Sequence, residues 1–156
     1  MTIEATHATP ENFAPYGSIA GTPFGPPTSQ AADYKFWSDI AHYRIEGETE
    51  IGICTVFEQP VPEITALERH LRTPEILIPI DASFIVPLLL DGKPLEEAKA
   101  FRVDPGEAIV VEKGIWHGAC LPVDERRSSY FVIFRRNTPH DDVEKKSVPS
   151  FRVSVA

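Results

Sequence analysis

Cysteine is nearly absent from this chain of 156 residues; Cys54 and Cys120 are the only two. Two thiols so far apart do not make a disulfide framework. They are expected as reduced core groups, with a Cys54–Cys120 bridge as the lesser alternative. Uninterrupted apolar sequence is equally scarce. The longest stretch, Phe84 to Leu90, is broken by Pro87 and falls far short of the ~20 residues that a membrane-spanning helix needs. The opening residues, Met1-Thr2-Ile3-Glu4-Ala5-Thr6-His7, have neither a basic start nor an apolar run, so no secretory signal is expected. Basic charge is in deficit: 15 Lys and Arg against 23 Asp and Glu leave a formal charge of -8. That argues against nucleic acid or an anionic membrane as a partner. It leaves a small anionic substrate open, because a pocket sets its own local potential. A soluble, cytoplasmic protein is expected.

Proline, by contrast, is abundant. Fifteen prolines are about twice the usual ~5% share, which disfavours long helices and favours short strands joined by turns. One short helix is expected after Thr9, with Thr9 as its cap and Pro10 in the first helical position, ended by Pro15 and Gly17. Gly21 to Ala32, with three prolines and two glycines, reads as a loop, a lid or an interface arm. From Asp33 onward the signals are those of strands. Ile51–Phe57, Glu75–Ile80, Phe84–Leu90, Lys99–Val103, Glu107–Glu112 and Ser129–Arg135 are apolar or alternating runs between turn residues. Asp81-Ala82-Ser83 looks like a tight hairpin, and Pro79 and Pro87 suggest edges or bulges. Phe151–Val155 alternates as a last strand on an edge or across a dimer. The whole reads as one all-β domain over residues 1–156, an antiparallel sandwich or barrel with minor helix.

The chemistry concentrates in two short segments. Leu67-Glu68-Arg69-His70 has Glu75 five residues on, and Lys113-Gly114-Ile115-Trp116-His117 lies at a distance. On a strand, residues two apart share a face, so Glu68 and His70 project together while Arg69 points away. A catalytic first-row divalent metal needs three or four ligands and an open position. His70, Glu75 and His117 supply such a set, with Glu68 as a fourth ligand or as an acid or base. His7, His42 and His140 have no partner in a recognisable pattern and are expected at the surface.

The pattern Glu-x-His-x4-Glu with a distant histidine resembles the metal-binding motifs of the cupin superfamily, with Glu68 where the first histidine is usual. Asp104-Pro105-Gly106-Glu107, leading to Lys113-Gly114-Ile115-Trp116-His117, resembles the second cupin motif. A closer resemblance covers nearly the whole chain. Phe13-Ala14-Pro15-Tyr16-Gly17, Leu67-Glu68-Arg69-His70 with Ile78-Pro79, and Trp116-His117 look like the landmarks of the ureidoglycolate lyase family. The resemblance implies a cupin-like double-stranded β-barrel of the jelly-roll type, usually a homodimer. It implies action on ureidoglycolate in purine (allantoin) degradation. The chain departs from that family in three places: Gly118-Ala119 follow Trp-His where His-Pro is common, and Phe36 and Ser38 stand where an Arg-x-His pair is common.

Cleavage of ureidoglycolate to glyoxylate and urea needs a base for the hydroxyl proton and an acid for the departing nitrogen. Glu68, His70 and His117 are the candidate catalytic residues, and His70, Glu75 and His117 the candidate ligands of a divalent transition metal. Lys35, Arg102 and Trp116 are the candidates for binding the substrate. Two other classes are weighed beside this one. The first is a cupin enzyme of other small-acid chemistry (isomerase, decarboxylase or dioxygenase); the second is a non-catalytic ligand-binding cupin. Release of urea or glyoxylate from ureidoglycolate, with metal added and removed, discriminates among them.

Overall fold

The computed structural model describes residues 1–155. In chain order the elements are β1 (Thr2–His7), α1 (Pro10–Phe13), β2 (Gly17–Ala20), β3 (Ser29–Ala31), β4 (Tyr34–Phe36), β5 (Thr49–Phe57), β6 (Glu63–Arg69), β7 (Glu75–Pro79) and β8 (Phe84–Leu89). They continue as β9 (Lys99–Val103), β10 (Ala108–Val111), β11 (Trp116–His117), β12 (Leu121–Pro122), β13 (Arg127–Arg135), α2 (Thr138–Asp141) and β14 (Glu144–Val155). Thr9 caps α1 in a reciprocal pair of hydrogen bonds with Asn12, and Pro10 opens the helix as the sequence predicts.

The strands form two large sheets and one hairpin. A seven-stranded sheet runs β11-β6-β14-β1-β9-β8-β12, and β11 also pairs with β8, so this sheet closes on itself. A five-stranded sheet runs β2-β10-β7-β13-β5, and β3 pairs only with β4. Alternation along the strands builds the core between the sheets. Phe84, Val86, Leu88, Phe101 and Val103 from the larger sheet meet Leu77, Ile109, Val111 and Tyr130 from the smaller one. The opposite face of the larger sheet curls around a second cluster of Ile64, Leu67, Leu89, Trp116 and Phe151. Because β8 is buried on both faces, its sequence is a continuous apolar run rather than an alternating one. The all-β, barrel-type expectation holds.

Four local expectations are corrected. Asp81-Ala82-Ser83 is not a hairpin: β7 and β8 lie in different sheets, and this segment is a corner. The corner is held by Asp81, which accepts from the Ser129 amide, and by Ser128, which donates to the Ala82 carbonyl. The sheets are not purely antiparallel, since β1 runs parallel to both β14 and β9. The last strand is no edge, because β14 lies between β6 and β1. The end of the Gly21–Ala32 loop is strand β3, carried on the hairpin.

Pro79 and Pro87 sit where no ladder bond is lost. Pro79 ends β7 beyond the reach of β10, whose register stops at Leu77. Pro87 faces the gap between β11 and β12, where Gly118 donates its amide to the Pro87 carbonyl. A Cβ on Gly118 would stand 2.9 Å from the Pro87 ring and 3.4 Å from Ile64. This position therefore has no room for a larger residue as the surroundings are packed. At Gly17, a Cβ would stand 1.8 Å from the Val110 carbonyl oxygen.

Candidate active site

The site lies where the two sheets meet. His70 follows β6, then Leu71–Pro74 turn the chain across to the other sheet, where Glu75 begins β7. Buried Thr73 anchors that turn by accepting the Arg135 amide on its hydroxyl. His117 sits on β11, directly opposite Glu68 of β6. The turn that delivers β11 is tied to the same place, for Gly114 donates its amide to the His70 carbonyl at 2.7 Å.

Three donor atoms converge. Glu75 Oε2 is 3.4 Å from His70 Nε2 and 3.2 Å from His117 Nε2, and the two histidine nitrogens are 3.3 Å apart. Glu68, His70 and His117 also each place a ligand-capable atom within 4.8 Å of the other two. The His70 side chain is only 6% exposed, and those of Glu75 and His117 are 12% exposed. His70 Nδ1 lies 2.8 Å from the Asp142 backbone carbonyl. A carbonyl only accepts, so Nδ1 carries a proton and Nε2 is the nitrogen turned to the cluster. Asp142 does more, since its two carboxylate oxygens accept the amides of Leu71 and Arg72, each at 3.0 Å. One buried residue thus fixes both the His70 ring and the backbone behind it.

Burial lowers the His70 pKa, but the hydrogen bond and charge of Glu75, the Asp142 carbonyl and the Glu68 charge outweigh it, raising the pKa to about 9. Burial pushes the other way on Glu75, whose pKa nevertheless falls below the ordinary value because His117 and His70 favour the carboxylate. The floor of the metal-free site therefore holds an ionised Glu75 carboxylate against a protonated His70 at neutral pH.

The donor set fits a divalent metal. Donors about 2.0–2.1 Å from a tetrahedral centre stand roughly 3.3–3.4 Å from one another, which matches the spacing here. Two histidines and one carboxylate, with space before them, are also the ligand type of open catalytic centres. That space is a cavity of about 1000 Å³ between the sheets. Tyr130, Val132 and Phe134, one face of β13, form part of its apolar wall. Cys54 and Cys120 line it too as free thiols. Burial, the largest cause, holds the Cys120 thiol and the Tyr130 hydroxyl well above their usual ranges, so both stay protonated.

Glu68, His70, Glu75 and His117 thus come together at this cavity, whereas the three expected substrate-binding residues do not reach it. Lys35 is exposed on the β3–β4 hairpin. Arg102 is held by Asp104 and Asp124 at 2.8 and 2.6 Å, away from the cavity. Trp116 points into the second core because it alternates with His117. Its indole N–H donates to Asp91, and Arg69 and Lys146 stack over its ring at 4.5 and 4.3 Å. Arg69, opposite in direction to Glu68, also pairs with Asp91 and Glu144.

Sequence reasoning missed Asp142, His140 and Lys145. His140 is exposed, as expected, and also lines the cavity from α2, while Lys145 lines it from β14. Alternation in Glu144-Lys145-Lys146 was the available signal for Lys145, but it needs the pairing with β6 to say which face is inward.

The family model described as Ureidoglycolate lyase matches residues 1–156. No curated protein matches the chain in sequence. Among solved structures, Peruvianin-I, a cysteine peptidase from Thevetia peruviana latex, is 12% identical over 64% of this chain and 55% of its own, with a TM-score of 0.47. RmlC from Streptococcus suis, in complex with dTDP-D-xylose, is 13% identical over 58% and 45%, with a TM-score of 0.44. Oxalate decarboxylase from Bacillus subtilis is 17% identical over 64% and 23%, also with a TM-score of 0.44. The chain thus matches 55% or less of the length of these structures. Likenesses this remote decide nothing about chemistry.

Proposed function

The chain belongs to the ureidoglycolate lyase family, whose reaction is the cleavage of ureidoglycolate, and on that premise we propose that it eliminates urea from ureidoglycolate to leave glyoxylate at the His70–Glu75–His117 cluster. The observation that carries the location is the convergence of His70 Nε2, His117 Nε2 and Glu75 Oε2 within 3.2–3.4 Å on the cavity floor. Ureidoglycolate bears a hydroxyl, a carboxylate and a urea nitrogen on one carbon. As a base takes the hydroxyl proton, the O–H electron pair becomes the second bond of the carbonyl and the C–N bond breaks, its pair leaving on nitrogen. A proton delivered to that nitrogen completes urea, and no water is consumed.

His70, Glu75 and His117 would hold a divalent transition metal. Such an ion would act as a Lewis acid on the substrate's oxygens, lowering the hydroxyl pKa. Glu68 faces the same space without belonging to the tight triangle, which suits it to take the hydroxyl proton and return it to the nitrogen. Asp142 holds His70 in one tautomer, and the apolar wall of β13 limits water beside the carbinol carbon.

The test is release of urea and glyoxylate from ureidoglycolate by the purified protein. Wild type should release both in equal amounts, and His117→Ala should lose at least about a hundredfold in kcat/KM. Wild-type turnover in His117→Ala would remove the site from the reaction. Chelation should abolish the activity and added metal restore it; full activity after verified metal removal would leave acid–base chemistry by Glu68 and the histidines alone.

We further infer a homodimer. Phe24, Phe36 and Ile40 on the segment that carries the β3–β4 hairpin are 89, 53 and 50% exposed, and Ile51 and Ile53 on edge strand β5 are 69 and 65% exposed. Two apolar surfaces left open on one chain suit exchange between two copies.

A further inference from the structure

The geometry points to Lys145 as the residue that binds the substrate's carboxylate and so sets which small acids the site accepts. This rests on the proposed reaction, where the substrate is a 2-hydroxy acid anion. It begins from sheet register. Lys145 pairs with Glu68 across β14 and β6, and Glu68 pairs with His117 across β6 and β11. Directly opposed residues in a sheet project from the same face with Cβ atoms about 4.5–5.5 Å apart. His117, Glu68 and Lys145 are therefore one row pointing into the cavity. The next residue shows the alternation independently, since Lys146 turns to the opposite face and lies over the Trp116 ring.

Charge singles Lys145 out. Among the described residues it is the only lysine or arginine lining the cavity, against the carboxylates Glu50, Glu68, Glu75 and Asp141. Arg69, Arg102 and Arg152 are committed to carboxylates away from the cavity, and Arg135 is committed to Asp141 at its edge, whereas Lys145 takes part in no ion pair of 4.0 Å or less among the described residues. Apart from the histidine cluster, whose positive charge already faces Glu75, an anion entering this cavity meets a cation only at the Lys145 end of the row. Holding the carboxylate at β14 leaves the carbinol carbon over Glu68 and its hydroxyl toward the histidines. Lys145 is thus a specificity residue that touches the substrate's unreactive end.

The experiment measures glyoxylate binding by calorimetric titration, and ureidoglycolate kinetics, on the intact protein and on Lys145→Gln, Lys145→Arg and Lys146→Gln. Loss of one charge-assisted contact in Lys145→Gln should weaken glyoxylate binding and raise KM roughly 10- to 100-fold, with kcat changed far less. Lys145→Arg should recover most of both, and Lys146→Gln should leave both near wild type. A neutral amide of the substrate should be processed alike by wild type and Lys145→Gln. Equal glyoxylate affinity in wild type and Lys145→Gln would overturn the assignment, and so would equal impairment on the acid and the amide. If wild type binds glyoxylate through Lys145 yet releases no urea, the proposed reaction fails while the carboxylate site stands.

Discussion

Asp142 shows how much of the site depends on a residue that touches no substrate. Its carbonyl accepts from His70 Nδ1, and its carboxylate accepts the two amides behind that ring. Asp142→Ala leaves both amides short of an acceptor at a part-buried turn, so it should destabilise the fold by about 1–2 kcal/mol. The backbone carbonyl that receives His70 Nδ1 survives this change, but the Leu71–Arg72 turn behind the ring loses its anchor, so kcat should fall more than KM rises. Urea denaturation with steady-state kinetics on the same preparation checks both effects; unchanged kcat in a folded variant would deny Asp142 its positioning role. The acidic residue was visible in the sequence, but its task was not. A backbone carbonyl has no side-chain signature, and the 72-residue separation from His70 closes only in three dimensions.

The legibility of the chain differs between elements for physical reasons. Apolar β7, β8 and β9 and alternating β13 were readable because burial imprints a period on sequence. Glu68 and His70 were placed on one face by the same rule. What period cannot give is partnership. The corner at Asp81–Ser83 has the length and composition of a hairpin turn, yet its flanking strands join different sheets. Likewise β1 looks polar because its outward side chains are exposed, and only its neighbours β14 and β9 make it a strand. Lys35, Arg102 and Trp116 have the right chemistry for a site, but their strands turn them elsewhere. On the outer side of β5 the same alternation has a consequence for assembly. If the proposed dimer forms through this face, replacing Ile51 and Ile53 together by glutamate should yield a monomer, read as a halved mass by multi-angle light scattering, with the barrel's circular dichroism retained. A monomeric wild type at micromolar concentration would refute the dimer.

At the scale of the molecule, the two sheets are joined through charge as well as through their apolar core. Glu75 belongs to the smaller sheet, while His70 and His117 belong to the larger. The pH dependence of the metal-free protein follows from this. His70 has its pKa raised from 6.5 to about 9, so its contribution to stability is complete below about pH 6.5 and is lost as pH rises through about 9. Glu75 is depressed from 4.5, so its contribution is present above about pH 4.5 and is lost as pH falls through its native value. Metal-free protein should therefore lose thermal stability on going from pH 6.5 to pH 9.5. A metal ligated by His70 must displace its proton, so apparent metal affinity should climb about tenfold per pH unit up to about pH 9. Melting curves and competitive metal titrations at several pH values test the two opposed slopes; a flat metal profile would exclude His70 as a ligand.

The cluster's split between sheets also dictates when it can exist during folding. His70 and His117 are 47 residues apart, and Glu75 reaches them only when the second sheet has closed over the first. Before that closure the larger sheet offers Glu68, His70 and His117 alone, without the Glu75 oxygen that completes the tight triangle. A cation that needs all three donors would therefore find them only in the finished barrel, and its occupancy would be a receipt for assembly rather than a template for it.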